Sequence, residues 1–313
     1  MSEPDYAPEF IEALHAWEQS PPLTAEFVFD LPPSDKRKAD KVGVLMYQGV
    51  LLKQDHPDLD FSRIRAITFT MDVHRTGDEL ENIVGHDLPQ YRNAAARMDA
   101  FHINLGPGQI LIITDELANA SLSPQIATRL AAWELIRTEL ARTIAIYRLL
   151  DAPSPLSPPP RWISLARYAW TEYFCGLTAS VEGLQTPMAR QRLRQSLEED
   201  PLAISEAIKN FNHHQDLEER TTRSEGAVKG LFEAMAEVHG QLDATQTNLT
   251  AIDPQLDSLI RAQGVAMIWN ALDDILHQLG TQPAQWNNDQ AGLNQIIALG
   301  QQYLVSMGIS NDE

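Results

Sequence analysis

The pattern of hydrophobic and polar positions at the start of the chain fits a helix followed by short extended segments. Apolar residues recur at helical spacing over 8–19, and the Pro21-Pro22 pair ends that stripe. Residues 26–30 alternate between apolar and polar, as in a short strand. The apolar run 42–52 fits a helix and a buried strand equally well, so periodicity leaves both open.

The next part of the chain carries the clearest strand signals. Residues 64–70 alternate and are rich in β-branched side chains, which is typical of a strand. A polar segment follows, in which no element is predicted. The second half of 94–105 alternates, Gly106-Pro107-Gly108 fits a turn, and 109–113 is a compact apolar strand. These last two segments are therefore predicted to pair as a hairpin.

After Thr114 the pattern becomes almost entirely helical. Ser123 is a candidate cap, with Pro124 at the first position of a helix that runs to about Leu150. The proline-rich stretch 152–160 predicts a stiff, extended connector. A helix that contains Trp170 and Glu172 follows. Three or four long helices are then expected, at about 187–210, 216–249, 254–279 and 289–307.

This order of elements predicts an α+β fold that is predominantly helical. A small β-sheet in the N-terminal half would pack against the helices that carry Trp133 and Trp170. A helical bundle would form the C-terminal region. We place the two predicted domains at 1–183 and 184–313, a division compatible with a chain of 313 residues.

Charge narrows the range of partners. The chain has 43 acidic and 24 basic residues, which gives a net charge of −19. Such a charge repels phosphate backbones and anionic lipid, so we expect neither a nucleic-acid partner nor a membrane partner. Amphipathic helices with an acidic exterior are better suited to a protein or peptide partner.

The N-terminus and the cysteine content predict a cytoplasmic protein. The first residues are acidic and are not followed by the apolar core of a signal peptide. Cys175, the single cysteine, excludes an internal disulfide and any cysteine-based zinc cluster. Because Cys175 follows an aromatic pair on a predicted helix, we interpret it as a buried structural thiol.

Two segments on predicted helices carry the candidate chemistry. The first includes Trp133, Glu134 and Arg137, and the second reads Trp-Thr-Glu-Tyr-Phe with its glutamate at Glu172. With the strands that precede them, these segments resemble a family of zincin-like metallopeptidases of bacteria. In that family the first helix carries His-Glu-x-x-His, which binds zinc through two histidines one turn apart and activates water through the glutamate. The later Trp-x-Glu-Tyr helix is thought to supply the third zinc ligand.

The resemblance assigns a role to each of four positions, and two of these have changed. Trp133 and Arg137 occupy the two histidine positions, Glu134 that of the general base, and Glu172 that of the third ligand. Tryptophan has no lone pair suited to a metal, and the guanidinium of arginine is always protonated. We therefore expect no catalytic residues, no metal and no cofactor, and interpret the four positions as vestigial.

A pseudoenzyme is the resulting prediction: a catalytically inactive, metallopeptidase-like protein retained for protein or peptide binding. Carboxylates that have lost a dication need another charge nearby. We therefore expect Arg137 to pair with Glu172 in the place of the metal, and Trp133 to fill the volume of the lost ligand and water.

Two alternatives remain open from the sequence. The first is a metal-dependent hydrolase with unusual ligands, in which Glu134 is the base and Glu172 binds metal beside another residue. His74, His86 and His102 lie in the predicted β region and are candidates for that other ligand, whereas the adjacent His213-His214 pair would diverge on a helix. The second is a helical interaction or assembly protein unrelated to peptidases.

Overall fold

The computed structural model of the protein describes residues 23–32, 34–84, 100–104, 108–151, 162–180, 187–214, 216–283 and 291–309. Its residues pack into two compact units, Met1–Ile144 and Ala145–Glu313. This division falls earlier in the chain than the predicted boundary between residues 183 and 184, and the domain boundary itself stays a prediction. The helix predicted at 8–19 and the proline connector at 152–160 lie outside the described residues.

The first unit contains a four-stranded mixed sheet. Its strands are β1 (Glu26–Asp30), β2 (Ile64–Thr70), β3 (Ala100–Asn104) and β4 (Gln109–Thr114), in the spatial order β1-β2-β4-β3. Strands β1, β2 and β4 are parallel, whereas β3 pairs antiparallel with β4, with Ala100 opposite Ile113. The predicted strands at 64–70 and 109–113 are therefore confirmed. The predicted hairpin between 109–113 and the strand before it is confirmed as well.

One helix follows β1 and another follows β2. Helix α1 (Lys38–Asp55) joins β1 to β2, which resolves the ambiguity of 42–52 in favour of a helix. Its segment 42–52 is largely apolar because much of the helix surface there is buried, including Leu45, Met46 and Leu52. Helix α2 (Val73–Val84) lies in the polar segment where no element was predicted. Its first turn is held by the Asp72 carboxylate, which accepts a hydrogen bond from the Arg75 amide at 3.0 Å.

Helices α3 (Asp115–Ala120) and α4 (Ile126–Asp151) follow β4. Thr114 caps α3, because its hydroxyl accepts a hydrogen bond from the Leu117 amide at 3.2 Å. Helix α4 begins two residues later than Pro124. The Ser123 hydroxyl accepts a hydrogen bond from the Gln125 amide at 3.2 Å, so Ser123 stabilises the turn before the helix instead of capping it.

The second unit is built from helices. They are α5 (Ile163–Ala179), α6 (Met188–His214), α7 (Leu217–Ala244), α8 (Leu249–Ile252), α9 (Pro254–Ala262), α10 (Ala266–Leu279) and α11 (Ala291–Ser306). Helix α7 lies at the centre and packs on α5, α6, α10 and α11. The predicted helix 254–279 is in fact two helices, since Gly264 adopts φ = 72° between them. Likewise, 216–249 is broken after α7, where Gln246 has φ = 50°.

This arrangement confirms the predicted α+β, predominantly helical fold. The helical bundle has its core around α7, where Val228, Leu231, Phe232, Met235 and Val238 are all fully buried. Among the described residues, no helix is both long enough and apolar enough to cross a membrane.

Candidate functional site

Trp133, at the first of the ligand positions that the resemblance assigns, is part of the packing of the first unit. It lies on α4 and is half-buried. Its indole nitrogen donates a hydrogen bond to the Ser121 carbonyl at 2.9 Å. The Tyr47 ring meets it edge-on at 5.7 Å between centroids, and the Arg129 guanidinium lies 5.6 Å from its centroid. The side chain thus connects α4 to α1 and to the turn before α4.

Arg137, at the second ligand position, is a buried cation. It is 2% exposed, and its Nη2 lies 3.2 Å from Asp55 Oδ2 at the end of α1. Burial lowers the pKa of Arg137, and the hydrogen bond and charge of Asp55 only partly offset this. Its Nε and Nη1 atoms are buried without a hydrogen-bond partner among the described residues. The charge of Glu134, at the general-base position, also acts on Arg137.

Glu172, at the third ligand position, belongs to an acidic group in the second unit. It lies on α5 and is 5% exposed. Its Oε2 lies 3.6 Å from Arg192 Nη1 of α6. The same guanidinium also pairs with Glu237 at 3.2 Å and with Glu233 at 3.0 Å, both on α7. One arginine therefore serves three carboxylates, one from α5 and two from α7.

Arg137 and Glu172 therefore each have an ionic partner within their own unit. Arg137 pairs with Asp55, whereas Glu172 pairs with Arg192. The ion pair predicted between Arg137 and Glu172 would connect residues of different units, and it stays a prediction. The vestigial roles of the four positions stay predictions as well.

The candidate replacement ligands among the histidines are spread over different elements. His102 lies on β3, and its Nδ1 is 3.8 Å from Glu139 Oε2 of α4. His74 is exposed in the first turn of α2. His86 lies outside the described residues, as does the side chain of His213. His102 therefore lies beside a carboxylate, but this carboxylate belongs to neither Glu134 nor Glu172.

The carboxyl edge of the parallel strands holds a buried lysine. Lys41, of α1, is 2% exposed. Its ammonium donates hydrogen bonds to Asp35 at 2.6 Å and to Asp115 at 2.5 Å. Burial alone would lower the pKa of Lys41, but the hydrogen bonds with Asp115 and Asp35 outweigh it and raise that pKa. Although ligands often bind at this edge of open α/β sheets, the Lys41 ammonium already pairs with both carboxylates, so we interpret this group as structural.

A different group of residues in the second unit has the composition of a metal site. Asp243 of α7 and Asp273 and His277 of α10 each offer one ligand atom, and these atoms all lie within 4.8 Å of one another. We call these three residues the Asp–His cluster. His277 Nε2 lies 3.1 Å from Asp243 Oδ1, and His277 Nδ1 lies 2.9 Å from the Asp273 backbone oxygen. Carboxylate oxygen and imidazole nitrogen are both common metal ligands.

Two further side chains contact the Asp–His cluster. The Tyr173 hydroxyl of α5 lies 2.8 Å from Asp243 Oδ2 and donates a hydrogen bond to it. His239 Nδ1, on α7, lies 2.9 Å from Asp273 Oδ1. The His239 ring is 2% exposed and stacks on Trp269 of α10, at 3.7 Å between centroids. Both carboxylates are therefore oriented by a buried neighbour.

The surroundings shift three pKa values in this group. Burial, followed by the hydrogen bond to Asp243, raises the pKa of Tyr173. Burial opposes ionisation of Asp273, but the hydrogen bond from His239 and the charges of His239 and His277 outweigh it and lower the pKa. The hydrogen bond to the Asp273 carbonyl, together with the charges of Asp243 and Asp273, raises the pKa of His277 against a smaller effect of burial.

The Asp–His cluster was missed in the sequence, although part of its signal is visible there. Asp273 and His277 are four residues apart on a predicted helix, which places them one turn apart on the same face. This Asp-x-x-x-His spacing is neither a histidine pair nor part of a His-Glu-x-x-His motif, which are the patterns that point to zinc ligands in a sequence. Asp243 lies on another helix, so no local pattern connects it to the other two.

Comparison with known proteins gives no relative from which a role could be transferred. No protein-family model matches the chain, and neither a curated protein nor a solved structure matches it. The function must therefore be inferred from the chemistry of the sites themselves.

Proposed function

We propose that this chain is a metallopeptidase-like protein without zinc catalysis, which acts by binding a protein or a peptide. The observation that carries the proposal is the buried, ion-paired guanidinium of Arg137 at one of the predicted ligand positions. A guanidinium that is 2% exposed and paired with Asp55 provides a permanent positive charge there. A zinc ion at that position would face a cation instead of a ligand.

Trp133 supports the same proposal from the other ligand position. Its only hydrogen-bonding atom, the indole nitrogen, donates to the Ser121 carbonyl and cannot accept a metal. Both substitutions are thus integrated into local packing, as expected of positions that have taken on a structural role. A site with neither nitrogen ligand retains only carboxylates, which do not satisfy zinc's preference for nitrogen or sulfur among its ligands.

The charge of the chain indicates what kind of partner it binds. A net charge of −19 attracts basic segments and repels nucleic acid and anionic lipid. Long-range attraction of this kind raises association rates and is weakened by salt. We therefore propose a protein or peptide partner that carries clustered lysine and arginine.

The test of inactivity is a peptidase assay of the full chain supplied with zinc, using casein and a mixed pool of fluorogenic peptides. We expect no turnover above the chelator-treated protein, and the same result for Glu134→Gln. Zinc-dependent cleavage that disappears in Glu134→Gln, but persists in the exposed control Glu198→Gln, would overturn the proposal. Elemental analysis of Glu172→Ala completes the test, since zinc lost in that variant would point to a working third ligand.

The test of binding uses fluorescence anisotropy with random peptide pools of equal length. One pool is enriched in lysine and arginine, one in aspartate and glutamate, and one is uncharged. We expect the basic pool to bind, and its affinity to fall as sodium chloride rises from about 50 mM to about 500 mM. If none of the pools binds, or if the acidic pool binds best, the proposed partner chemistry is wrong.

A further inference from the structure

We propose that Asp243, Asp273 and His277 form a binding site for one first-row transition-metal dication, such as Zn²⁺. Their ligand atoms come from α7 and α10 and lie within 4.8 Å of one another. A single ion that contacts three ligands at about 2.0–2.2 Å needs donors no more than about 4.4 Å apart, so small side-chain adjustments would bring these atoms into range. This site is independent of the proposed function, since it uses none of the four vestigial positions.

The hydrogen bonding of His277 prepares one ring nitrogen for a metal. Its Nδ1 lies 2.9 Å from the Asp273 backbone oxygen. A carbonyl oxygen can only accept, so Nδ1 carries a proton. The Asp243 carboxylate can only accept as well, so in the metal-free protein Nε2 also carries a proton, which a metal ion would displace in order to bind the Nε2 lone pair. Nε2 is the atom that faces Asp243 Oδ1, at 3.1 Å. Metal-binding histidines typically have this arrangement, in which the second ring nitrogen donates to a carbonyl or carboxylate.

The two carboxylates are also held by neighbours. Tyr173 donates a hydrogen bond to Asp243 Oδ2 at 2.8 Å, and Oδ1 of the same carboxylate faces His277. His239 contacts Asp273 Oδ1 at 2.9 Å, while its Nε2 atom is buried without a hydrogen-bond partner among the described residues. Burying an imidazole with one nitrogen unsatisfied costs free energy. A binding role that requires Asp273 in this position accounts for that cost.

Charge compensation distinguishes this cluster from the other acidic groups of the protein. The carboxylates around Lys41 and around Arg192 each have a resident cation. In the part of the chain that the structure describes, Asp243 and Asp273 pair only with histidines and with no lysine or arginine. Unlike a lysine or an arginine, a histidine that gives up its proton becomes a metal ligand, so a dication that displaces the proton of His277 would be bound by a neutral imidazole and two negative carboxylates.

The ligand set also indicates the kind of metal. An imidazole nitrogen with two carboxylates suits zinc, cobalt, nickel or manganese better than calcium or magnesium, which prefer oxygen alone. His277 is 51% exposed, so solvent and metal reach the site directly. Water would complete the coordination of an ion held by three side chains.

The experiment is a titration of the chelator-treated full chain with Zn²⁺ by calorimetry, together with absorption spectroscopy of Co²⁺ as a spectroscopic substitute. We expect one equivalent of metal per chain and a visible Co²⁺ band. His277→Ala and Asp243→Asn should each weaken binding at least tenfold and diminish the band. Tyr173→Phe should weaken binding less, because it removes only a support of Asp243.

Two variants serve as matched controls. Asp257→Asn removes a carboxylate from an i, i+4 surface pair on the neighbouring α9, and His214→Ala removes an exposed histidine from α6. Both should bind Zn²⁺ like the unaltered protein. Absence of metal uptake by the unaltered protein would overturn the proposal without any variant. So would uptake that His277→Ala leaves unchanged, or uptake that only Glu172→Ala abolishes, which would instead revive a metallopeptidase site.

If circular dichroism shows that His277→Ala does not fold, His277→Gln replaces it. Glutamine retains a polar side chain of similar length but lacks the imidazole nitrogen. Unchanged Co²⁺ absorption in a folded His277→Gln variant would contradict the site, and loss of the band would support it.

Discussion

Gly176 of α5 and Gly240 of α7 lie against each other where the two helices cross at backbone contact. A Cβ atom on Gly240 would lie 3.0 Å from the Gly176 carbonyl carbon and 2.2 Å from the Tyr173 carbonyl oxygen. A Cβ atom on Gly176 would lie 2.2 Å from the Glu237 carbonyl oxygen. Because glycine carries no side chain at either position, the helices approach closely enough for Tyr173 to reach Asp243.

Gly240→Ala should destabilise the second unit strongly. The added methyl group meets backbone atoms of α5, which cannot rotate away as a side chain could, so the helices must separate. We expect a loss of about 3 kcal/mol in the free energy of unfolding, measured by urea titration with circular dichroism. The variant should also weaken any metal binding at the Asp–His cluster, because Tyr173 would move away from Asp243.

Gly226→Ala is the matched control on the same helix. No atom lies within 4 Å of a Cβ placed there, so alanine should be neutral or stabilising by up to about 1 kcal/mol through its higher helix propensity. Equal unfolding free energies for Gly226→Ala and Gly240→Ala would contradict the close backbone contact between α5 and α7.

Arg137→Met should leave stability unchanged or raise it. Arg137 is buried, and two of its nitrogens lack hydrogen-bond partners among the described residues, whereas its partner Asp55 is 51% exposed. Methionine keeps much of the volume and removes the cost of burying a cation, while Asp55 remains solvated. We expect a change between zero and about +2 kcal/mol in urea titrations.

Arg137→Ala separates packing from charge at the same position. It removes the cation too, but it leaves a cavity, so we expect a loss of about 2–4 kcal/mol. If Arg137→Met destabilised as much as Arg137→Ala, the guanidinium would be a net stabilising group. The ion pair with Asp55 would then contribute more than its exposed carboxylate suggests.

The predictability of each element depended on whether its signal was local. Strand β2 is marked by its own alternation, and β4 by its own apolar run, so both were predicted. Helix α2 was missed because its few apolar residues lie within a polar segment, and its start depends on the Asp72 cap. The break at Gly264 was missed because periodicity continues across it from α9 to α10.

The Asp–His cluster also has only part of its signal in the local sequence. The i, i+4 spacing of Asp273 and His277 is a local feature of one helix. Asp243 joins them only because α10 packs on α7, and Tyr173 joins because two glycines let α5 approach. Neither glycine has a positive φ that would signal it, and the sequence does not reveal that they face each other. Tertiary packing therefore supplies one of the three cluster residues, Asp243, and the hydrogen bond that Tyr173 donates to it.

Arg192→Met should destabilise the protein more than Arg194→Met does. Arg192 pairs with carboxylates of Glu172, Glu233 and Glu237, so its loss removes the cation that these three negative charges share. Lys229, 3.7 Å from Glu233, remains beside only one of them. Arg194 pairs with Asp253, through two hydrogen bonds of 3.1 and 3.0 Å. Because Arg192 is 39% exposed, solvent screens part of the effect, and we expect a loss of about 1–2 kcal/mol against at most about 1 kcal/mol for Arg194→Met.

Salt distinguishes charge repulsion from lost packing in the Arg192 variant. At about 1 M sodium chloride the repulsion between the three carboxylates should be largely screened. The loss of unfolding free energy caused by Arg192→Met, measured in urea titrations, should therefore become smaller. A deficit that salt leaves unchanged would mean that the stem of Arg192, and not its charge, stabilises the helices.

Asp200→Asn should stabilise the protein at neutral pH but not in acid. Burial raises the pKa of Asp200 from 3.8 to about 6, and its Oδ2 is buried without a hydrogen-bond partner among the described residues. A carboxyl group whose pKa is higher in the folded state binds its proton more tightly there. The contribution of Asp200 to the free energy of unfolding is therefore most favourable below pH 3.8, and it is lost as the pH rises to about 6.

Asparagine does not ionise, so the advantage of Asp200→Asn should appear between about pH 4 and about pH 6 and stay constant above that range. We expect about 1 kcal/mol at pH 7, since partial exposure of Asp200 reduces the full effect of the shift. Urea titrations at pH 4 and pH 7 measure the difference, with the exposed neighbour Glu198→Gln as the control. An advantage as large at pH 4 as at pH 7 would mean that asparagine acts through a new hydrogen bond and not through the removed charge.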